Sequence, residues 1–213
     1  MPKRILFLAA HPDDIETVMG GAAVAHSAAG DLCYEAIMTR GEKGALRKSR
    51  RGPSLAAIRE REGRGGGAVM GMKEVLFFDF QDAALKNTER LRGVISDLIR
   101  RFEPEIIYAP EFHRSPYPHP DHLNLGRAVW EIWNGLPQKP VLRFFHPLDP
   151  THIYSVEQYQ ERKSTSLAMH HSQRWLNRIL LSMIPLALPH KYFKFRRVAG
   201  SKHFEFYREV KAS

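Results

Sequence analysis

Apolar and polar positions along the chain change period several times. Residues 4–10 form an apolar run too short for a helix and flanked by turn chemistry, the pattern of a buried strand. Thr17 to Ala29 is small and apolar and stops at Gly30, which predicts a helix. Residues 32–39 read as a second strand, followed by a loop with Gly41 and Gly44. Residues 54–72 place Leu55, Ile58 and Glu62 at helical spacing behind Ser54 as an N-cap. The run Gly65-Gly66-Gly67 opposes that helix, by roughly 1 kcal/mol per glycine relative to alanine, unless close packing requires it. A third strand is predicted at 75–80. The helix predicted at 87–102 carries Leu91, Ile95, Leu98 and Ile99 on one face. Beyond it the pattern predicts a strand at 105–110, a proline-rich loop and a helix from Asp121 to Trp133. Short strands at 141–146 and 152–156, a helix at 157–171 and a last strand at 202–209 complete the reading.

Strand and helix alternate through the first 135 residues. That order predicts an α/β fold: a Rossmann-like, doubly wound, mostly parallel sheet with helices on both faces. In such sheets ligands sit beyond the carboxyl ends of the strands. No solenoid repeat or dividing linker is visible. The 213 residues are therefore expected to form a single domain, with a core at 1–173 and a basic, apolar extension at 174–213.

Composition narrows the setting. A single cysteine, Cys33, excludes an internal disulfide and leads us to expect a cytoplasmic protein. The first residues lack an apolar signal-peptide core, and no stretch approaches the roughly 20 apolar residues of a membrane span. The net charge of +9 gathers partly in "RKSRRG" (47–52) and "HKYFKFRR" (190–197). Neither cluster lies in a nucleic-acid-binding motif, so no nucleic acid partner is expected. The segment 175–197 mixes apolar, aromatic and basic residues, with Pro185 and Pro189 breaking it. It suits packing on the core, a subunit contact in a homo-oligomer, or peripheral docking at the inner membrane surface, in that order.

Two tetrads stand where a site belongs. His11-Pro12-Asp13-Asp14 follows the first strand, and His119-Pro120-Asp121-His122 precedes a helix beyond the fourth. An Asp before a helix is a good cap, but capping needs no histidine. Two carboxylates in the first tetrad would repel a phosphate, so a cation is indicated. Two imidazoles and one carboxylate with open positions make a hydrolytic zinc site, and the same set suits iron(II). Ligands three residues apart across a turn can reach one ion, which points to His11, Asp14 and His122. Asp13 would then stand beside the metal, able to take a proton from metal-bound water. "HPLD" at 146–149 runs into Pro150 and reads as a turn. His26, on an alanine-rich helix, reads as a packing or surface residue, and His113, His152, His190 and His203 have no partner at ligand spacing.

These motifs resemble the PIG-L/LmbE-type zinc-dependent N-acetylglucosaminyl deacetylases. The likeness rests on "AHPDD" (10–14), "GG" (20–21), "TRGEKG" (39–44), "IREREG" (58–63), "HPDH" (119–122) and "KSTSLAMHHSQ" (163–173). It implies zinc on His11, Asp14 and His122, with Asp13 as general base. His119 would stabilise the oxyanion or help protonate the leaving amine, and Asp121 would tune a histidine. Tyr117 would contact the reacting group. Arg59 would hold the sugar or its substituent, and His170 would take part in the site. The implied reaction removes acetyl from an N-acetylated amino sugar or its conjugate. An amidase acting on another N-acylated small molecule, such as an antibiotic or a sugar–thiol precursor, is the second reading. A basic binding module whose tetrads are only helix caps is the third.

Overall fold

The computed structural model describes residues 1–175 and 189–211. Its sheet runs β3-β2-β1-β4-β5-β7-β6. The strands are β1 (Arg4–Ala9), β2 (Leu32–Thr39), β3 (Glu74–Phe80), β4 (Ile106–Pro110), β5 (Val141–Phe145), β6 (His152–Ser155) and β7 (Phe204–Val210). β1 pairs in parallel with both β2 and β4: Leu6 stands opposite Tyr34 on one side and Ile107 on the other. The winding therefore reverses between β1 and β4, and the loops leaving those two strands open a crevice at their carboxyl ends. β5 continues the parallel set, whereas β7 runs antiparallel to β5 and β6 antiparallel to β7.

The described helices are α1 (Asp14–Val18), α2 (Gly20–Ala28), α3 (Pro53–Met70), α4 (Glu89–Phe102), α5 (Pro120–Gly135), α6 (Gln160–Ala168) and α7 (Pro189–Ala199). Alternation along β1 divides the core. Leu6 and Leu8 pack with Leu91, Ile95 and Leu98 of α4 and with Leu125, Val129 and Trp133 of α5. Ile5, Phe7 and Ala9 face Ile15, Met19 and Ala23 on the other side. No described helix is long and apolar enough to cross a membrane.

Several expectations change. The helix over 17–29 is two helices, starting at Asp14 and broken at Met19 (φ −130°, ψ 15°). The break frees the amides of Gly21 and Ala22, which donate to Glu205 on β7 at 2.7 and 2.9 Å. α3 begins at Pro53 behind Gly52, one residue before the expected Ser54 cap. It runs straight through its glycines because neighbours press on them. A Cβ on Gly66 would run into the Glu16 carboxylate, and one on Gly67 into Val75. The predicted helix at 157–171 is a short 3-10 turn at Glu157–Tyr159, then α6, then a second turn at His171–Gln173.

The boundary proposed at residue 173 does not isolate an extension. β7 lies inside the sheet between β5 and β6, and Glu205 there also receives Lys163 Nζ at 2.6 Å and Tyr154 OH at 3.0 Å. α7 packs back on the last strands through Tyr192 against Phe204 and Phe195 against Phe206. This part of the 175–197 segment thus follows the core-packing reading. Residues 176–188 and the His190 side chain lie outside the described residues.

Candidate metal centre and active site

The two tetrads converge across the β1/β4 crevice. His11 Nδ1 is 3.3 Å from His122 Nε2, His122 Nε2 is 3.2 Å from Asp14 Oδ1, and Asp14 Oδ2 is 3.8 Å from His11 Nδ1. A tetrahedral site with bonds of about 2.0–2.1 Å has edges of about 3.4 Å, so one nitrogen of each histidine and an oxygen of Asp14 are close enough to hold one ion. Asp14 is fixed by the amides of Ala10 and His11, at 3.0 and 2.9 Å. His119 lies within the same imidazole group as His11 and His122.

The other nitrogen of His11 turns away from this point. Nε2 lies 3.1 Å from Asp121 Oδ2 and 3.2 Å from Asp82 Oδ1. A carboxylate behind a histidine fixes its tautomer and leaves the opposite nitrogen for a metal. Asp121 is itself buried and accepts the amides of Ala83 and Leu85 at 2.8 and 3.1 Å. Asp82 was absent from the sequence candidates, although it stands two residues beyond β3, at the same end of the sheet. Burial opposes charge on His11, but hydrogen bonds to Asp121, Asp14 and Asp82 outweigh it and hold its pKa well above the usual histidine value. Burial also opposes charge on Asp14, yet the His122 and His11 rings hold its carboxyl well below the usual range. Burial likewise works against the Asp82 carboxylate, and His11 outweighs it, bringing the pKa to about 2. The pocket is arranged for positive charge.

Asp13 occupies the left-handed region (φ 92°), where few non-glycine residues settle. Arg59 holds it there. The Arg59 guanidinium is buried and donates to Pro12 O at 2.6 Å, Gly41 O at 3.1 Å and Asp13 Oδ1 at 3.1 Å. The sequence placed Arg59 against the sugar; the structure places it beneath the Asp13 turn. His119 caps α5: its Nδ1 accepts from the Asp121 amide at 3.2 Å, which leaves the proton on Nε2. Burial and the nearby His11 and His122 lower its pKa below the usual histidine value. Tyr117 is partly exposed and packs its ring on His119 (6.0 Å), His122 (5.4 Å) and His146 (6.3 Å).

His170 is fully buried and meets Glu16 Oε1 at 2.9 Å, behind α1. Burial opposes its protonation, but Glu16 outweighs that and raises its pKa. The other residues of "KSTSLAMHHSQ" act as a clip. Ser166 Oγ donates to Gly66 O at 2.8 Å, Ser172 binds Glu62 through both its amide and its hydroxyl, and Gln173 Nε2 donates to Gly44 O at 2.9 Å. His26 is engaged by Asp31 and Tyr108, and His152 stacks on Tyr207. His146 lies in a bend after β5, as the turn reading of 146–149 expects, and its ring meets Tyr117 at 6.3 Å.

Residues 6–133 match the family described as PIG-L: GlcNAc-PI de-N-acetylase. The chain belongs to this family. It is 30% identical over 164 residues to a diacetylchitobiose deacetylase of Thermococcus kodakarensis, covering 76% of this chain and 61% of that relative's length. It is 26% identical over 191 residues to a probable N-acetyl-alpha-D-glucosaminyl L-malate deacetylase 2 of Bacillus anthracis, covering 80% of this chain and 81% of the other. Its fold superposes on the N,N′-diacetylchitobiose deacetylase of Pyrococcus horikoshii with a TM-score of 0.80 at 22% identity, over 98% of this chain and 84% of that one. It superposes equally on GalB, a 4-carboxy-2-hydroxymuconate hydratase of Pseudomonas putida KT2440, at 0.80 and 20% identity, over 99% and 97%. The fold therefore does not by itself name the reaction.

Proposed function

We propose that this chain is a metal-dependent hydrolase that removes the acetyl group from an N-acetylated amino sugar of the N-acetylglucosamine type, or from its conjugate. The observation that carries the reading is the meeting of His11 Nδ1, His122 Nε2 and Asp14 Oδ1/Oδ2 within 3.2–3.8 Å in a chain of this family. Zinc is the expected ion, and iron(II) suits the same donors. When bound, such an ion supplies Lewis acidity, polarising the acetyl carbonyl and bringing the pKa of water toward about 7.

The chain's own groups have separate tasks. Asp121 and Asp82 hold the His11 ring with Nδ1 turned to the site. Asp13, braced by Arg59, accepts the proton of the attacking water. His119 presents its Nε2 proton to the carbonyl oxygen as it becomes negative, and such donors typically contribute about 100- to 1,000-fold in rate. Because its Nδ1 is occupied by the Asp121 amide, this imidazole suits the oxyanion role better than delivery of a proton to nitrogen. Tyr117 stands beside it as a second donor, through its hydroxyl. Asp13 then passes the proton it took from water to the nitrogen, and the C–N bond breaks to release acetate and a free amine.

The binding-module reading accounts for His119, which does cap a helix, but not for His11 and His122, which cap nothing. A different amide substrate keeps every task above. In the leading reading the partner is a small amino-sugar molecule or glycoconjugate, and the single cysteine, Cys33, suits a cytoplasmic protein. The test is acetate release from a panel of N-acetyl sugars and non-sugar acetamides, before and after chelation. Chelator-sensitive release from sugars supports the reading; release confined to the non-sugar amides transfers it to the amidase class.

A further inference from the structure

His146 follows β5 directly, at the same end of the sheet as the two tetrads, and none of the tasks above uses it. Its backbone lies at φ 59°, a left-handed conformation that non-glycine residues occupy mainly where surrounding structure imposes it, often at functional sites. Its Nδ1 is shut away from water with no partner among the described residues, while the residue as a whole is part exposed. The ring stands edge-on to Tyr117 at 6.3 Å, and Tyr117 in turn covers His119 and His122. The loop that carries it is braced. The Leu148 amide donates to Arg114 O at 2.7 Å, and Lys191 Nζ reaches Leu148 O at 2.8 Å and Asp149 at 3.2 Å. A strained backbone, a braced loop and an imidazole with hydrogen-bonding capacity to spare have no structural explanation of their own.

We propose that His146 binds substrate, hydrogen-bonding a hydroxyl of the amino-sugar ring and so selecting sugars over other acetamides. The inference rests on the functional reading above. An imidazole carries one donor and one acceptor, as a hydroxyl does, and suits a polyol better than an ion. His146 and His119 both pack on the Tyr117 ring, so a sugar whose acetyl group meets His119 is placed beside His146. A site that hydrogen-bonds a substrate hydroxyl rejects the analogue lacking it, because the protein group is left unpaired.

The test compares wild type with His146→Phe, which keeps the ring against Tyr117 but cannot hydrogen-bond, and with His146→Asn, which tolerates the left-handed backbone and keeps donor and acceptor. The probes are N-acetylglucosamine and its 3-, 4- and 6-deoxy analogues, and each sample is assayed for zinc. His146→Phe should raise KM for N-acetylglucosamine about three- to tenfold, the size of one neutral hydrogen bond. It should leave kcat within about twofold and zinc content unchanged. One deoxy analogue should bind wild type and His146→Phe equally, and His146→Asn should recover part of the loss. Unchanged KM, a uniform penalty for all analogues, or loss of zinc would overturn the proposal. Calorimetric titration with N-acetylglucosamine repeats the comparison without turnover. If sugars bind in a His146-dependent way but release no acetate, the deacetylase reading fails and His146 stands. If wild type turns them over and His146→Phe binds them equally well, His146 fails alone. Should His146→Phe not fold, His146→Ala gives the same reading.

Discussion

Replacing Arg59 by methionine separates two roles for this residue. Methionine keeps most of the length and apolar volume of the stem but none of the donors. The substitution strands the carbonyls of Pro12 and Gly41 and leaves the Asp13 carboxylate without its guanidinium. The side chains of the pair are only 4% and 12% exposed, so water replaces little of what is lost. Breaking a buried pair by removing one partner costs about 3–5 kcal/mol. The two carbonyls would add about 1–3 kcal/mol each if nothing rearranged, but neighbouring losses are not additive, and we take about 3–5 kcal/mol for the whole. For a chain of this size each kcal/mol moves the midpoint by about 2–4 °C, so Tm should fall by about 6–20 °C. Thermal denaturation of the metal-free protein measures this without interference from zinc. Arg59→Lys should recover little, since one ammonium cannot span three acceptors set around a planar fork. A variant that melts with the wild type, yet shows a raised KM for N-acetyl sugars, would refute the bracket and return Arg59 to the substrate.

Glu35 on β2 is buried with both carboxylate oxygens unpartnered among the described residues, and burial, Glu16 and Asp14 raise its pKa well above the usual value. Its folded pKa exceeds its unfolded one, so its contribution is fully present below about pH 4 and is lost as pH rises toward the folded value. Glu35→Met should therefore stabilise the protein by about 1–3 kcal/mol at pH 7, with a smaller gain near pH 4, in parallel urea titrations. Glu205→Ala removes four donors' shared acceptor and should lower stability by about 3–5 kcal/mol, again read by urea denaturation; no change would mean that β7 does not tie down α2. Asp82→Asn and Asp121→Asn each weaken the support of His11 Nε2 and should lower zinc affinity about 10- to 100-fold in competition with a chromogenic chelator. Unchanged affinity in both would break the link between those carboxylates and His11.

The candidate site was legible in the sequence to the extent that strand ends were. The apolar runs located β1 and β4, and the tetrads behind them, and winding rules placed both at one crevice. Asp82 and His146 occupy the ends of β3 and β5 and were open to the same argument, but neither sits in a repeated motif. What pairs with what was not legible. Nothing local in Glu205 says that it will cap a helix 184 residues earlier in the chain, or that β7 will enter the sheet between β5 and β6. The glycines of α3 looked like a weakness because the groups that press on them, Glu16 and Val75, come from other elements. Arg59 could be matched to a motif, yet its target depended on a left-handed turn at Asp13, which aspartate tolerates but does not announce.

The central claim assigns adjacent carboxylates to different tasks: Asp14 to the ion and Asp13 to the proton. The direct test measures zinc content and acetate release on the same samples of wild type, Asp13→Asn and Asp14→Ala, purified identically. Asp13→Asn should keep zinc near the wild-type level and turn over about 100- to 10,000-fold more slowly, whereas Asp14→Ala should lose most of its zinc. An Asp13→Asn protein that is both metal-replete and active, or an Asp14→Ala protein that retains full zinc, would contradict the account.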